Sequence, residues 1–183
     1  MRSTRFASIA VCLLLCWSVV HAADFPLTLS ASAQATKGAT TITTTLTIQV
    51  ERVMNATYRS RVTDALKFGG YPKFLSALRA LPAIGTIQVE NRMVEIRYVR
   101  DDPAEKGSRL ILVADQPLFF LGTEKSRAGY ELTLVDITID AQGSGKGTIT
   151  GAARVKPTPD GGVIIDDFAS APVEITVRRA PAK

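Results

Sequence analysis

Histidine, tryptophan and cysteine are almost missing from this 183-residue chain, and the few that occur, Cys12, Cys16, Trp17 and His21, all precede Ala22. From Ala23 onward there is no thiol and no imidazole. Ser-His-Asp and Cys-His catalysis, imidazole acid–base work, zinc sites built on Cys or His, and disulfides are therefore excluded for that part of the chain. An excess of one charge is lacking as well: 22 Lys plus Arg stand against 17 Asp plus Glu. Without Arg2 and Arg5 the net charge is +3, too little to argue for a nucleic-acid partner. The longest apolar run, Ile9 to Val20, is shorter than the ~20 residues a helix needs to cross a bilayer, and no second run follows. No transmembrane segment is expected in the mature chain.

That run is nonetheless informative. Arg2 and Arg5 precede it, and Val20-His21-Ala22 closes it with small residues at the cleavage positions, the pattern of a secretory signal peptide over residues 1–22. Val11 and Leu15 precede the two cysteines where lipidation needs a small residue, so a lipid anchor is not expected. The expected product is an exported protein, periplasmic or secreted, with a single domain over 23–183. Its 161 residues suffice to bury about 70% of the unfolded surface without disulfides.

Within that domain, Thr41 to Val50 alternates, with Ile42, Leu46, Ile48 and Val50 on one face and threonines and Gln49 on the other. Such a period of two predicts a half-buried antiparallel strand. Val94, Ile96 and Tyr98 inward with Glu95 and Arg97 outward predict a second, and Val173, Ile175 and Val177 a third. Leu110 to Ala114 is continuously apolar and is expected to be covered on both sides. In Tyr130 to Asp140 the apolar set changes parity at Leu134-Val135, which predicts a β-bulge or sharp twist there, the alternative being a strand buried on both faces. Asp115-Gln116-Pro117, Gly143 to Gly147 and Pro159 to Gly162 supply turns.

Over about residues 55–82 the period changes to 3.6. Tyr58, Val62, Ala65 and Leu66 form one stripe, and Phe74, Leu75, Leu78 and Leu81 another. Gly69-Gly70 stops the first helix, Pro72 suits the first turn of the second, and Pro82 ends it. The fold class expected is α+β and mainly antiparallel β: a curved sheet, sandwich or barrel-like, with two short amphipathic helices inserted between early strands.

Chemistry-bearing motifs are few. Gly143 to Gly147 is no phosphate loop, because Lys146 is followed by Gly147 and a strand. Asp166 and Asp167 point to opposite faces of an extended strand, and Asp136 and Asp140 lie ~13 Å apart at strand rise, too far for a glycosidase pair. No Asp-rich calcium loop is present. Neither a catalytic residue set, a cofactor site nor a metal site is expected. Asn55-Ala56-Thr57 reads as a cap for the following helix.

The runs Leu78-Arg79-Ala80-Leu81-Pro82-Ala83-Ile84-Gly85 and Arg109-Leu110-Ile111-Leu112-Val113-Ala114-Asp115-Gln116-Pro117, with the closing Val163 to Arg179 that includes Ala171-Pro172-Val173, are similar to a group of uncharacterised secreted bacterial proteins. The likeness spans roughly residues 57–179. It implies a signal-peptide-bearing β-rich domain with a helical segment near its start, and it implies no activity. Phe119-Phe120-Leu121-Gly122 stands where the resemblance leads one to expect a tryptophan, so a ligand role for that stretch does not carry over.

Charge supplies the one candidate surface. Glu51 to Pro82 holds six basic residues, Arg52, Arg59, Arg61, Lys67, Lys73 and Arg79, against Glu51 and Asp64. Arg59, Lys67, Lys73 and Arg79 are the candidate contacts to an anionic partner, either an acidic envelope protein or an anionic lipid surface; the bland reading is a solvated helix pair whose charges aid solubility. The function expected is a non-enzymatic cell-envelope binding or interaction module. A structural or accessory envelope protein is the alternative, with a carboxylate-based hydrolase behind it.

Overall fold

The computed structural model describes residues 23–37, 40–119, 128–158, 163–167 and 172–180. The elements in chain order are β1 (Leu27–Lys37), β2 (Thr40–Val50), α1 (Ala56–Arg79), β3 (Gly85–Val89), β4 (Arg92–Ala104), β5 (Gly107–Ala114), β6 (Leu132–Ile139), β7 (Gly145–Pro157), β8 (Val163–Asp167) and β9 (Val173–Arg179). Every pairing is antiparallel, and the order β6-β5-β4-β3-β2-β1-β9-β7-β8 is closed by a further β6–β7 ladder. All strands but β8 thus form an eight-stranded barrel, and β8 hangs on the far half of β7. Of the architectures left open by the sequence, the barrel is formed and the sandwich is not, because the β6–β7 and β1–β9 ladders leave no second sheet to stack.

Closure requires tight approach where β6, β7 and β9 meet. A Cβ at Gly147 would collide with the carbonyl oxygen of Asp136 across the ladder, so the glycines of β7 are what let β6 lie so near. Alternate residues then point inward: Leu29 and Ala33, Leu46 and Ile48, Ile87, Ile96, Leu110 and Leu112, Val135 and Ile137, Ile149, and Val177, all 0% exposed. A void large enough for water would expose its lining, so the interior at these positions is packed side chain on side chain, as a barrel of this strand number permits. Gln116 to Leu118 close the end next to Ala114: the Leu118 N–H donates to Gly151 O (2.8 Å) and Thr133 Oγ1 donates to Gln116 O (2.8 Å).

α1 is one helical stretch broken where the sequence expects a first helix to stop and a second to start: Gly70 leaves helical geometry (φ 68°, ψ −171°) and kinks the rod, with Pro72 just beyond it. The kink keeps Val62 and Leu66 on one side of it and Phe74, Leu75 and Leu78 on the other pointed the same way, into the core. α1 packs against β4 and β7. Between those strands the outward-facing Tyr98, Val113 and Leu134 are buried, so the helix roofs the outer wall from β4 to β7.

Two strand readings are corrected by this roof. Leu134 and Val135 are both buried, and β6 pairs with β5 without interruption from Thr133 to Ile139, so no bulge lies at Leu134-Val135. The parity change arises because Leu132 and Leu134 face outward under cover while Val135, Ile137 and Ile139 face the barrel. A register shift does occur nearby, where Leu132 to Leu134 oppose Ala153 to Thr150, and there the extra residue belongs to β7. The other correction is at β4, where Ile96 opposes Ala114 and Tyr98 opposes Val113. Arg97 is the added residue of that irregularity, so Tyr98 turns to the outer face and Val99 takes its place inside. The expected faces of β2 and β9 hold at Leu46, Ile48 and Val50 and at Ile175 and Val177, whereas Ile42 is exposed. The turn expected at Pro159 to Gly162 lies outside the described residues.

Candidate functional site

α1 starts where the sequence places it: Asn55 Oδ1 accepts the Tyr58 N–H at 2.9 Å, which satisfies one of the otherwise free amides of the first turn. Of the four candidate cations, Arg59 sits half-buried one turn in. Its charge reaches the Tyr98 hydroxyl, whose pKa burial raises while Arg100 and Arg59 pull it back. Arg79 lies at the opposite end and is committed. Its Nη2 donates to Asp115 O (3.4 Å) and its Nε is 4.0 Å from Asp115 Oδ2. Asp115, buried, also accepts from Arg97 Nε at 2.9 Å, and Arg97 reaches on to Glu95 (2.6 Å) and to the carbonyl of Leu81. This network pins the end of the helix to the end of β5.

Lys67 and Lys73 flank the kink, both exposed. A Cβ on Gly69 would fall 2.6 Å from Lys73 Cβ, so the Lys73 stem lies directly against the glycine, and Lys67 Nζ stands 5.3 Å from the centre of the Phe68 ring. Phe68 itself is 78% exposed. It lies two residues past the buried Leu66, about 200° round the helix from it, so helical geometry turns it away from the roofed wall. Close to the bend, α1 thus presents an exposed aromatic ring with Lys67 beside it. Beneath it, Tyr71 anchors the tip: its hydroxyl donates to Glu131 Oε2 at 2.7 Å, and its ring stacks with Phe74 (centroids 6.3 Å apart).

Sequence reasoning grouped four cations. Lys67 and Lys73 lie on either side of the kink, while Arg59 sits near the start of α1 and Arg79 at its end. Phe68 was missed, although an aromatic residue off the apolar stripe and directly before Gly69-Gly70 is a readable signal for an exposed ring at a helix break.

Of the carboxylates weighed for hydrolysis, Asp136, Asp166 and Asp140 are each held, and the Asp167 side chain lies outside what the structure describes. Asp136 takes Arg109 in a two-pronged pair (Nε 2.8 Å, Nη2 2.5 Å). Asp166 meets Lys156 (2.7 Å), Arg154 (3.1 Å) and the Tyr130 hydroxyl (3.3 Å), and the hydrogen bond from Lys156 leads in lowering its pKa. Asp140 Oδ1 accepts the N–H groups of Gln142 and Ser144, both at 2.9 Å, and shapes the β6–β7 turn. Among the described residues no three of His, Cys, Asp and Glu converge as metal ligands. An open cleft of about 580 Å³ lies beside the β3–β4 turn, lined by Arg92, Met93, Pro117 and Phe119 among others, with Arg92 Nη1 donating to Phe119 O at 2.6 Å.

These features define a class: a packed antiparallel barrel with an external kinked helix whose bend carries Lys67, Phe68 and Lys73. The chain matches no protein-family model, no curated protein and no solved structure. No helix among the described residues is long and apolar enough to cross a membrane.

Proposed function

We propose that this is an exported, non-enzymatic envelope module that docks reversibly on anionic lipid through the bend of α1. The observation that carries the reading is Phe68, 78% exposed with Lys67 beside its ring and Lys73 on the other side of the kink. A ring that can sink into the acyl boundary with ammonium groups at headgroup level is the pattern of an interfacial anchor. Export rests on the leader pattern of residues 1–22, with the folded domain working in the periplasm or outside the cell.

Magnitudes set the strength. Each lysine near an anionic surface contributes ~1 kcal/mol and burial of a phenylalanine ~2 kcal/mol, so one copy binds at about the millimolar level. Such an attachment is transient, and its charged part is screened as the Debye length falls from about 10 Å at 0.1 M salt to about 3 Å at 1 M.

Co-sedimentation of the domain beginning at Ala23 with phosphatidylglycerol-containing and with purely phosphatidylcholine vesicles tests it. We expect binding to the anionic vesicles at low salt, reduced about tenfold or more in Phe68→Ser and in the Lys67→Ser/Lys73→Ser pair, and unchanged in Arg79→Ser. Equal binding by wild type and both variants overturns the lipid reading. Retention of an acidic protein in place of vesicles, lost in the same variants, would assign the tip to that partner.

A further inference from the structure

The end of the barrel formed by the start of β1 and the end of β4 holds a carboxylate in an apolar setting. Beyond the Arg97 irregularity the inward positions of β4 are Val99 and Asp101, and Asp101 pairs in register with Leu110, which is 0% exposed. Its Oδ2 accepts the Ala23 nitrogen at 3.1 Å, across 78 residues of sequence. Its Oδ1 is buried and has no hydrogen-bond partner among the described residues. The adjacent cation does not help: Arg100 points to the outer face and gives its Nε to Asp102 at 2.8 Å. Asp101 as a whole is half-buried, but a buried oxygen left without a hydrogen bond is costly, and the single amide supplies one bond, to Oδ2, and no charge.

The sequence offers the missing group. Val20-His21-Ala22 places leader cleavage immediately before Ala23. Hydrolysis of the Ala22–Ala23 peptide bond gives a carboxylate on Ala22 and turns the Ala23 nitrogen from an amide with one N–H into an α-ammonium with three N–H donors and a unit positive charge. Ala23 and Phe25 already pack against the core, and Arg179 Nη2 (3.4 Å from Asp24 O) holds the intervening residue.

We propose that Asp101 is a binding site for the α-ammonium of the processed chain, so that removal of the leader completes an ion pair at the end of the barrel and the mature fold is more stable than any form extended at Ala23. The ammonium bonds to Oδ2 and also supplies the donor that Oδ1 lacks. This rests on cleavage before Ala23 and not on lipid docking, so either idea can fail while the other stands.

Three measurements test it. Intact mass of the exported protein is expected to show Ala23 as the first residue; any other first residue overturns the proposal outright. Next, the chain beginning at Ala23, released from a cleavable fusion, is compared with the same chain carrying Gly-Ser before Ala23, each with and without Asp101→Asn. The extension is expected to lower Tm by about 2–4 °C in the Asp101 background and by almost nothing with Asp101→Asn, because both changes remove one interaction. An unchanged Tm on extension overturns the pairing, and the extended chain needs no substitution to fold. Finally, an amine-acylating reagent at neutral pH reads the site directly. A paired α-ammonium is held in its unreactive charged form and is expected to label roughly tenfold more slowly than in Asp101→Asn; equal rates would show that Asp101 contributes only through a backbone contact.

Discussion

The barrel interior and the outer wall under α1 are made by the same strands and stabilised differently. Inside, β1, β2, β5, β6 and β9 send leucine, isoleucine, valine and alanine into a space where their exposure falls to a few per cent at most. Outside, Tyr98, Val113, Leu134 and Thr150 are covered by a helix that needs polar ties to stay in place: Arg79 and Arg97 on Asp115, Tyr71 on Glu131. Apolar packing is non-directional and uniform round the ring, whereas each tie depends on one geometry. The lesson is a division of labour, with the interior supplying stability and the roof supplying a positioned surface that bends at Gly70.

The comparison breaks first, if it breaks, in the interior. Leu112 sits inside, opposite Val99 on β4 and Val135 on β6, with no exposure. Leu112→Ala is expected to lose about 2–5 kcal/mol, the range for a deleted core side chain whose cavity cannot collapse. Urea denaturation checks it, as a lowered midpoint with an unchanged slope. Leu75→Ala, on the second limb of α1, provides the contrast: a smaller loss is expected because Leu75 is 9% exposed and the helix can shift. Equal losses would mean that roof and ring form one undivided core.

How much of this was legible follows from which signals are local. The alternation of Leu46, Ile48 and Val50 and of Ile175 and Val177 survives in the structure, because a half-buried strand writes its face into neighbouring residues. Ring closure does not, since Gly145 and Gly147 serve β6 and β9 at once and nothing beside them in sequence says so. Val94 to Tyr98 alternates without a flaw, yet one added residue at Arg97 reverses Tyr98; an insertion of that kind leaves no mark in composition. Leu132 to Val135 was open to two readings, and only the position of α1 decides between them. In the site, the lysines were legible as charge. The withdrawal of Arg79 was not, because its partner Asp115 lies 36 residues on.

A smaller effect sharpens the roof itself. Gly70 has φ 68° and ψ −171°, a region essentially reserved for glycine, and a Cβ there would meet nothing within 4 Å. The expected loss in Gly70→Ala, about 1–3 kcal/mol, is thus a backbone effect with no steric collision behind it. Amide-exchange protection reports where it falls: reduced along α1 and unchanged in β1, β2 and β9. Loss of protection in those strands would show that the kink is coupled to the ring.

The smallest effect concerns the tie beneath the bend and carries a pH signature. Burial raises the Tyr71 hydroxyl well above the ordinary phenol range, with its hydrogen bond to Glu131 adding to the rise. On Glu131, burial pushes the carboxyl up, but the Tyr71 hydroxyl together with the Gly129 and Glu131 backbone N–H groups outweighs it and leaves the pKa lowered. A hydrogen bond to a charged group that is mostly in solvent is worth about 1 kcal/mol after screening, so Tyr71→Phe is expected to lose about that much near pH 7. The signs fix the window. The lowered carboxylate contributes stability that is present above its unfolded pKa of about 4.3 and is lost as the pH falls through the folded value below it. The raised phenol contributes stability that is present below its unfolded pKa of about 10 and is lost as the pH rises toward the folded value. Denaturant midpoints for wild type and Tyr71→Phe should therefore differ by a constant amount from about pH 5 to 9 and converge in acid as Glu131 protonates. If the difference instead persists to the acid limit of folding, the tie is ring packing of Tyr71 on Phe74, and the hydroxyl does not hold the bend in place.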